Sequence, residues 1–234
     1  MARKPHILMV ATSHSDLGAT GRKTGLWLEG FAAPYYVFVS AGAIVTVASP
    51  AGGLPPLDPQ SIDPEVAPAA TMRFRRDPAA QTVLAHTVEL ADLRSDEFDA
   101  VFFPGGYGPM WDLALNEESI ALLDAFATTG RYIGAVCHAP AALLGVRIGN
   151  VPFVHGKRVT AFSDAEEASA DLVDQMPFSL ESALKELGAF YQSAGVARPL
   201  AIADGTLVTG QNPASSYDAA RIFMNLLDES LLER

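Results

Sequence analysis

The sequence holds one cysteine, Cys137, and the residues around it favour a reactive thiol. The preceding run, residues 131–136, is apolar with small side chains and is typical of a buried strand. The residues that follow, with Pro140 near the start, are typical of the first turn of a helix. A thiol at such a turn lies at the carboxyl edge of a sheet and faces a helix N-terminus, which favours the nucleophilic thiolate. A lone cysteine is more often a small buried apolar residue, so both interpretations stay open on these residues alone.

A glycine-rich segment at residues 104–108 follows a second apolar run and is the next candidate for chemistry. Glycines at a strand end let the backbone approach a ligand and direct N–H groups at it. If the two strands are neighbours, the backbone N–H groups of Gly106 and His138 form an oxyanion hole beside the thiol. The alternative is a tight turn without function. No Gly-Lys-Ser or Gly-Lys-Thr follows the glycines, so the segment does not match a P-loop.

Three glutamates are candidates for acid–base roles beside the thiol. Glu29 lies in an otherwise apolar helical run, where it either faces solvent or is buried as a neutral acid that donates to the thiolate. Glu166 and Glu167 follow a predicted strand end, where they either supply charge to a helix N-terminus or orient His138 as the acid of a triad. The other histidines are scattered without ligand spacing, so no metal site is predicted.

These candidates need a sheet to bring them together, and the sequence predicts one. Strand-like runs alternate with helical patterns, which predicts an α/β fold with a mostly parallel sheet covered by helices on both faces. The expected elements include a strand at 6–11, a helical stretch at 25–42 that Pro34 must kink or break, and a closing helix at 214–227. Neither a repeat nor a linker is visible, which predicts one domain over residues 1–234.

The composition excludes several classes of protein. The 234 residues are 49% apolar and carry a formal net charge of −11, which leaves no basic face for nucleic acid. One cysteine cannot form an intramolecular disulfide, which fits a reducing compartment. The apolar run at 7–11 is too short for a signal peptide, and the run at 35–48 is too short to span a membrane. We therefore expect a cytoplasmic protein without membrane or nucleic-acid partners.

Five parts of the chain, in order, resemble the ThiJ/PfpI superfamily, whose members have a class I glutamine-amidotransferase-like, flavodoxin-like fold with a doubly wound sheet. Within it, the chain is most similar to the heat-shock chaperone-like branch of glutathione-independent glyoxalases, also called glyoxalase III. The matching segments cover nearly the whole chain and comprise residues 24–29 with 34–36, 49–53 with 56–59, 103–112, 135–141 and 208–215.

The resemblance implies roles for individual residues of a catalytic site. Cys137 and His138 match the nucleophile and the histidine of the family's triad. Glu167 matches the triad acid, and Glu166 is the fallback for that position. Glu29 matches a buried glutamate that contacts the thiol.

The residues expected to bind substrate include two departures from the family. Gly106 and His138 match the amides of an oxyanion hole. Tyr107 stands where related glyoxalases usually have His, and Ala139 stands where they usually have Gly. Tyr107 can still hydrogen-bond a substrate, but its size and proton affinity differ, which leaves room for a different substrate. Ala139 narrows the space beside the thiol.

The implied activity is a cysteine-dependent lyase reaction that converts methylglyoxal into lactate, in a stress-response protein that also acts as a chaperone. No cofactor or metal is implied, and the expected partners are a small carbonyl substrate and a second copy of the chain in a homodimer. One alternative is a cysteine-dependent hydratase or amidohydrolase of another small substrate, such as an isonitrile. Another is a non-enzymatic chaperone or redox sensor, because an exposed thiolate is easily oxidised.

Overall fold

The computed structural model describes residues 3–65 and 67–232, and a seven-stranded sheet lies at the centre of those ranges. The sheet order is β10-β11-β5-β4-β1-β2-β3, and among these described strands only β10 and β11 pair antiparallel. Strands β6 with β7, and β8 with β9, form two separate short sheets. In chain order the strands are β1 (His6–Val10), β2 (Ile44–Ser49), β3 (Val88–Glu89), β4 (Ala100–Phe103), β5 (Tyr132–Val136), β6 (Arg147–Ile148), β7 (Val151–Pro152), β8 (Arg158–Val159), β9 (Phe190–Tyr191), β10 (Ala201–Asp204) and β11 (Leu207–Gly210).

Helices cover both faces of this sheet. In chain order they are α1 (Leu28–Ser40), α2 (Ala69–Phe74), α3 (Pro78–Ala85), α4 (Pro109–Asp112), α5 (Glu117–Thr128), α6 (Asp164–Ser169), α7 (Leu180–Glu186) and α8 (Ser216–Leu232). Buried side chains of α1, α2, α3 and α8 share one apolar core, and those of α4, α5 and α7 share the other.

Alternation along the strands supplies both cores. Ile7 and Met9 of β1 belong to the core beneath α1 and α8, whereas Leu8 and Val10 belong to the core beneath α5. Successive side chains of a strand point to opposite faces, so a continuous apolar run buries both sides of a parallel sheet. The predicted α/β fold, with a mostly parallel, doubly wound, flavodoxin-like sheet between helices, is confirmed.

Helix α1 differs from its prediction in two ways. It begins at Leu28 rather than at residue 25, because Leu26 is extended and forms isolated β-bridges to Leu57 and Gly106. It then continues unbroken through Pro34. Proline removes one backbone hydrogen bond from a helix. The burial of apolar side chains on both sides of Pro34 offsets that loss, because transferring them from water is favourable.

The C-terminal helix is longer than predicted and starts later. Residues 213–215 form a 3₁₀ turn, and α8 then runs from Ser216 to Leu232. None of the helices in the described ranges combines the length and the apolar character needed to cross a lipid bilayer. One domain over residues 1–234 stays a prediction, and residues 1, 2, 66, 233 and 234 lie outside the description.

Candidate active site

Cys137 lies at a strained turn directly after β5. Its φ of 61° is in the left-handed region, which costs a residue with a side chain about 1–3 kcal/mol. Hydrogen bonds on both sides hold the turn, from the Cys137 N–H to the Gly210 carbonyl at 2.9 Å and from the Phe162 N–H to the Cys137 carbonyl at 2.9 Å. The predicted turn, here called the elbow, is therefore present and places the thiol at the carboxyl edge of the sheet.

The sequence predicts a helix directly after Cys137, and that prediction is wrong. Residues 139–143 form only a single 3₁₀ segment, Ala139–Leu143. A helix dipole needs aligned peptide units over several turns, so this segment gives the thiol little electrostatic support. The charge that favours a thiolate must come from neighbouring side chains instead.

A histidine and a carboxyl group supply that charge. The Cys137 Sγ lies 3.3 Å from Nδ1 of His138, and His138 Nε2 contacts Oε1 of Glu167. All three residues are buried, and His138 is 0% exposed. The rings of Tyr107 and Phe162 each have their centroids 4.4 Å from that of His138, so the imidazole is held between two aromatic side chains.

The environment favours the protonated form of this imidazole. Burial alone lowers the pKa of His138, but the negative charge of the Cys137 sulfur and the hydrogen-bonded Glu167 carboxylate outweigh it, so the pKa of His138 is raised. An imidazolium beside Sγ stabilises a thiolate, the nucleophilic form of cysteine. The geometry thus brings a thiol, an imidazole and a carboxyl group into one chain of contacts, which is the arrangement that activates a cysteine nucleophile.

The glycine-rich segment lies directly beside the thiol. Strands β4 and β5 are parallel neighbours, with Phe103 opposite Ala135, and this pairing brings Gly105 to the elbow. A Cβ added at Gly105 would lie 2.5 Å from the Cβ of Cys137, so only glycine fits there. In the described part of the chain, the N–H groups of Gly106 and His138 donate to no other protein group. Two free amides beside a nucleophile are the components of an oxyanion hole.

Glu166 and Glu167 are adjacent in α6 but have separate environments. Glu166 is not next to His138 and instead accepts hydrogen bonds from the side chains of Gln211 (2.9 Å) and Asn212 (2.8 Å). Its other donors are the Ser163 N–H, the Ser163 hydroxyl and the Ala197 N–H. Glu166 therefore ties α6 to two loops, and Glu167 is the carboxyl that reaches the histidine.

Glu29 lies in the first turn of α1 and is half-buried. Burial raises the pKa of Glu29 to about 7. Its carboxyl makes no hydrogen bond with any residue of the described ranges, so the structure does not place it in hydrogen-bond contact with Cys137. A carboxyl that is half ionised at neutral pH can exchange a proton with a substrate in either direction.

A cavity of about 380 Å³ opens next to these groups. Its walls include Trp27, Glu29, Phe162, Glu166, Val196 and Asn212. Sequence reasoning had found the two glutamates but not the aromatic and loop residues. Asn212 lies in a segment that matched the family without a role. Phe162 ends the run 159–162, which predicts a strand, whereas β8 ends at Val159.

The two departures from the family pattern occupy different positions around the histidine. Tyr107 packs its ring on His138, and burial with the nearby Glu167 and Cys137 charges raises the pKa of the Tyr107 hydroxyl. Ala139 is fully buried at the start of the 3₁₀ segment. No group of three or more metal-ligating side chains occurs within the described residues.

Comparison with protein families shows which family the chain belongs to. A model of the DJ-1/PfpI family matches residues 28–226, which is most of the chain. The protein belongs to the DJ-1/PfpI family. This membership, together with the relatives described next, confirms the resemblance to the glyoxalase III branch of the ThiJ/PfpI superfamily.

Two relatives named as glutathione-independent glyoxalases match nearly the full length of this chain. A glutathione-independent glyoxalase of Schizosaccharomyces pombe is 26% identical, over 97% of this chain and 99% of the relative. A glutathione-independent glyoxalase of Saccharomyces cerevisiae is 27% identical, over 92% of this chain and 94% of the relative. Both similarities therefore extend over more than nine-tenths of this chain.

Solved structures agree with the fold. The rapid encystment protein of Francisella tularensis superposes with a TM-score of 0.90 at 35% identity, over 95% of this chain and 99% of that one. Glyoxalase III of Candida albicans superposes with a TM-score of 0.85 at 23% identity, over 94% and 96% of the two chains. The second likeness carries information on the fold alone.

Proposed function

We propose that this protein is a glutathione-independent glyoxalase that converts methylglyoxal and water into lactate. The observation that carries the proposal is the contact chain from the Cys137 sulfur through His138 to Glu167, with the free amides of Gly106 after β4 and of His138 after β5. Relatives named as glutathione-independent glyoxalases, aligned over nearly the full length, support the reaction class.

The first step is addition of the Cys137 thiolate to the aldehyde carbon, C1. The new C1 oxyanion takes a proton from the His138 imidazolium and gives a hemithioacetal. This transfer leaves His138 neutral and facing the C1 hydroxyl, where it relays that hydroxyl proton later, whereas Glu29, with a pKa of about 7, is half ionised at neutral pH and free to accept the carbon-bound proton. We therefore assign the removal of the C1 hydrogen to Glu29.

Proton removal shifts the C1–H electron pair into a C1–C2 double bond and leaves a negative charge on the ketone oxygen. The Gly106 and His138 amides stabilise this charge, and one such donor contributes about 3 kcal/mol in comparable sites. Glu29 returns its proton to C2, and the C1 hydroxyl proton moves through His138 to the C2 oxygen. The product is a lactyl thioester, which water hydrolyses to lactate and the free thiol.

Replacement of the nucleophile tests this proposal. Cys137→Ser keeps the size and hydrogen-bonding of the side chain but removes the thiolate. We expect methylglyoxal consumption without glutathione to fall to background, and mass spectrometry of the unaltered protein during turnover to show an adduct on Cys137. Wild-type consumption by folded Cys137→Ser would overturn the mechanism.

Two other outcomes would point to the alternatives. Turnover of an isonitrile or amide, with none of methylglyoxal, would favour a cysteine-dependent hydratase or amidohydrolase. Prevention of protein aggregation that persists in Cys137→Ala, without any turnover, would favour a chaperone.

A further inference from the structure

The cavity adjoins each part of the candidate site through a neighbouring residue. Trp27 in its wall donates its backbone N–H to the Gly105 carbonyl at 2.9 Å. Phe162, also in the wall, packs its ring on His138. Glu29 is itself a wall residue. Cys137 itself is not among the wall residues and is 3% exposed, so the cavity lies beyond these neighbours, where it is available to the part of a substrate that extends away from the sulfur.

The size of the cavity exceeds what methylglyoxal needs. Its volume of about 380 Å³ falls in the range of about 300–1,000 Å³ that is typical of sites for drug-sized ligands. Much of the wall is apolar, with Trp27 and Phe162 supplying aromatic surface and Val196 and Pro213 supplying aliphatic surface. Burial of an apolar substituent against such walls is favourable, whereas a methyl group leaves most of the surface uncovered.

The charged side chains in the cavity walls are all acidic among the described residues. Within the described ranges its walls hold two carboxyl groups, Glu29 and Glu166, and neither a lysine nor an arginine. The Glu166 oxygens already accept hydrogen bonds from protein donors such as Asn212. An anionic substituent would therefore meet like charge without a compensating cation, which is unfavourable in a partly desolvated site.

We propose that the site acts on neutral 2-oxoaldehydes that carry an aromatic or branched apolar substituent, and discriminates against 2-oxoaldehydes with an anionic one. The substituent lies between Trp27 and Phe162 while the aldehyde carbon reacts at Cys137. This inference rests on the proposed glyoxalase function and names the substrate class of that same site.

Three substrates test the inference with the wild-type protein, namely methylglyoxal, phenylglyoxal and 4-carboxyphenylglyoxal. We expect kcat/KM for phenylglyoxal to exceed that for methylglyoxal by about tenfold or more, since apolar contacts of this size discriminate by at least that factor. We expect the carboxylated compound to fall on the order of tenfold below phenylglyoxal. Equal values for the two aryl compounds would overturn the charge argument.

A cavity-filling variant separates the contribution of the cavity from the intrinsic reactivity of the aldehydes. Ala214 is exposed and lies in the cavity wall, so Ala214→Trp narrows the space without disturbing the core. The phenylglyoxal to methylglyoxal ratio of kcat/KM should fall about tenfold. Ala79→Trp places the same side chain on an exposed position of α3, outside the cavity, and should leave the ratio unchanged. An unaltered ratio in Ala214→Trp would overturn the inference.

A charge variant tests the second half. Ser169 is an exposed wall residue, and Ser169→Lys adds a cation to the cavity. The preference for phenylglyoxal over its carboxylated form should shrink several-fold, to within about threefold. Ser182→Lys is the matched control, because Ser182 is exposed on α7 and lies outside the cavity, and it should leave the preference unchanged.

Failure of this inference is distinguishable from failure of the proposed function. Turnover of methylglyoxal without the expected preferences would overturn the substrate class alone. The absence of turnover with all three compounds would overturn the glyoxalase proposal, and this inference with it.

Discussion

The carboxyl groups on the two sides of the cavity differ in their hydrogen bonding. On the α6 side, residues 163–167, Glu166 accepts hydrogen bonds from side chains and backbone, and Glu167 contacts His138. On the α1 side, residues 27–29, the Glu29 carboxyl has no hydrogen-bond partner among the described residues, and burial raises its pKa to about 7.

The difference separates positioning from proton transfer. A carboxylate that accepts several hydrogen bonds, as Glu166 does, is held in one place, which suits a group that positions others. A half-buried carboxyl without partners exchanges protons near neutral pH, which suits an acid–base catalyst. We therefore expect the α6 side to position the site and the α1 side to carry the proton transfer.

The largest effect is expected on the α6 side at Glu167. Glu167→Gln keeps the size of the side chain but removes the charge that stabilises the His138 imidazolium. We expect kcat for methylglyoxal to fall about 10⁴-fold, as in other triads that lose their acid. Alkylation of Cys137 by iodoacetamide at mildly acidic pH, followed by mass spectrometry, should slow as well. Glu186→Gln, at an exposed position, is the control. A kcat of Glu167→Gln within about tenfold of wild type would show that the α6 side does not position the reacting groups.

Glu29→Gln should have the next largest effect on turnover. Loss of a general base typically lowers the rate about 10²–10⁴-fold, so we expect kcat to fall at least about a hundredfold. In the wild type, kcat/KM should rise with pH through about 7, the pKa of Glu29, because the carboxylate is the form that accepts a proton. A pH profile measured on Glu29→Gln should lack this rise. Persistence of the rise would assign it to another group.

The same substitution should affect stability in the opposite direction. The ordinary pKa of 4.5 for this carboxyl is raised to about 7 by burial, so the folded state binds more protons than the unfolded state across that window. The cost of ionising the buried carboxyl therefore grows as the pH rises from 4.5 to about 7 and is complete above it. Glu29→Gln removes the cost. We expect a higher Tm than wild type at about pH 8 and little change at about pH 5.

Calorimetry or dye-based melting at both pH values checks this expectation. A lower Tm for Glu29→Gln at the higher pH would mean that the carboxylate has a stabilising partner, and would remove the distinction between the two sides.

The smallest effect on turnover, with the largest loss of stability, is expected for Glu166→Gln. The amide nitrogen cannot accept the hydrogen bonds that one carboxylate oxygen receives, so buried donors such as the Gln211 or Asn212 amide lose their acceptor. Unpaired buried donors cost about 2 kcal/mol, which lowers Tm by about 4–8 °C in a chain of this size. Glu186→Gln again serves as the control. A wild-type Tm would show that the network does not hold the α6 side together.

The sequence predicted the positions of the reacting groups better than it predicted the residues of the cavity walls. Cys137 and the glycines after β4 stand in short segments whose chemistry is local, so their meeting at the sheet edge followed from parallel strand order. The choice between Glu166 and Glu167 required the resemblance, because adjacent helix residues point about 100° apart and the helix orientation is a tertiary property. The structure places Glu167 against the histidine.

The cavity walls were beyond sequence reasoning for a different reason. Val196 lies in a loop that Glu166, Gln211 and Asn212 hold through side-chain hydrogen bonds to residues 194–198. Such loops lack a periodic pattern, so nothing in their composition indicates which surface they cover. The short 3₁₀ segment after Cys137 was missed because its first residues look the same as those of a longer helix.

The contact between Gly105 and the elbow bears on how this enzyme can be redesigned. The main chain just after β4 forms the floor beside the sulfur, since a methyl group at position 105 would lie 2.5 Å from the Cys137 Cβ. Random libraries can therefore diversify the loop walls widely while this codon is kept constant. Selection for new substrates has freedom in the pocket rim and almost none at the floor.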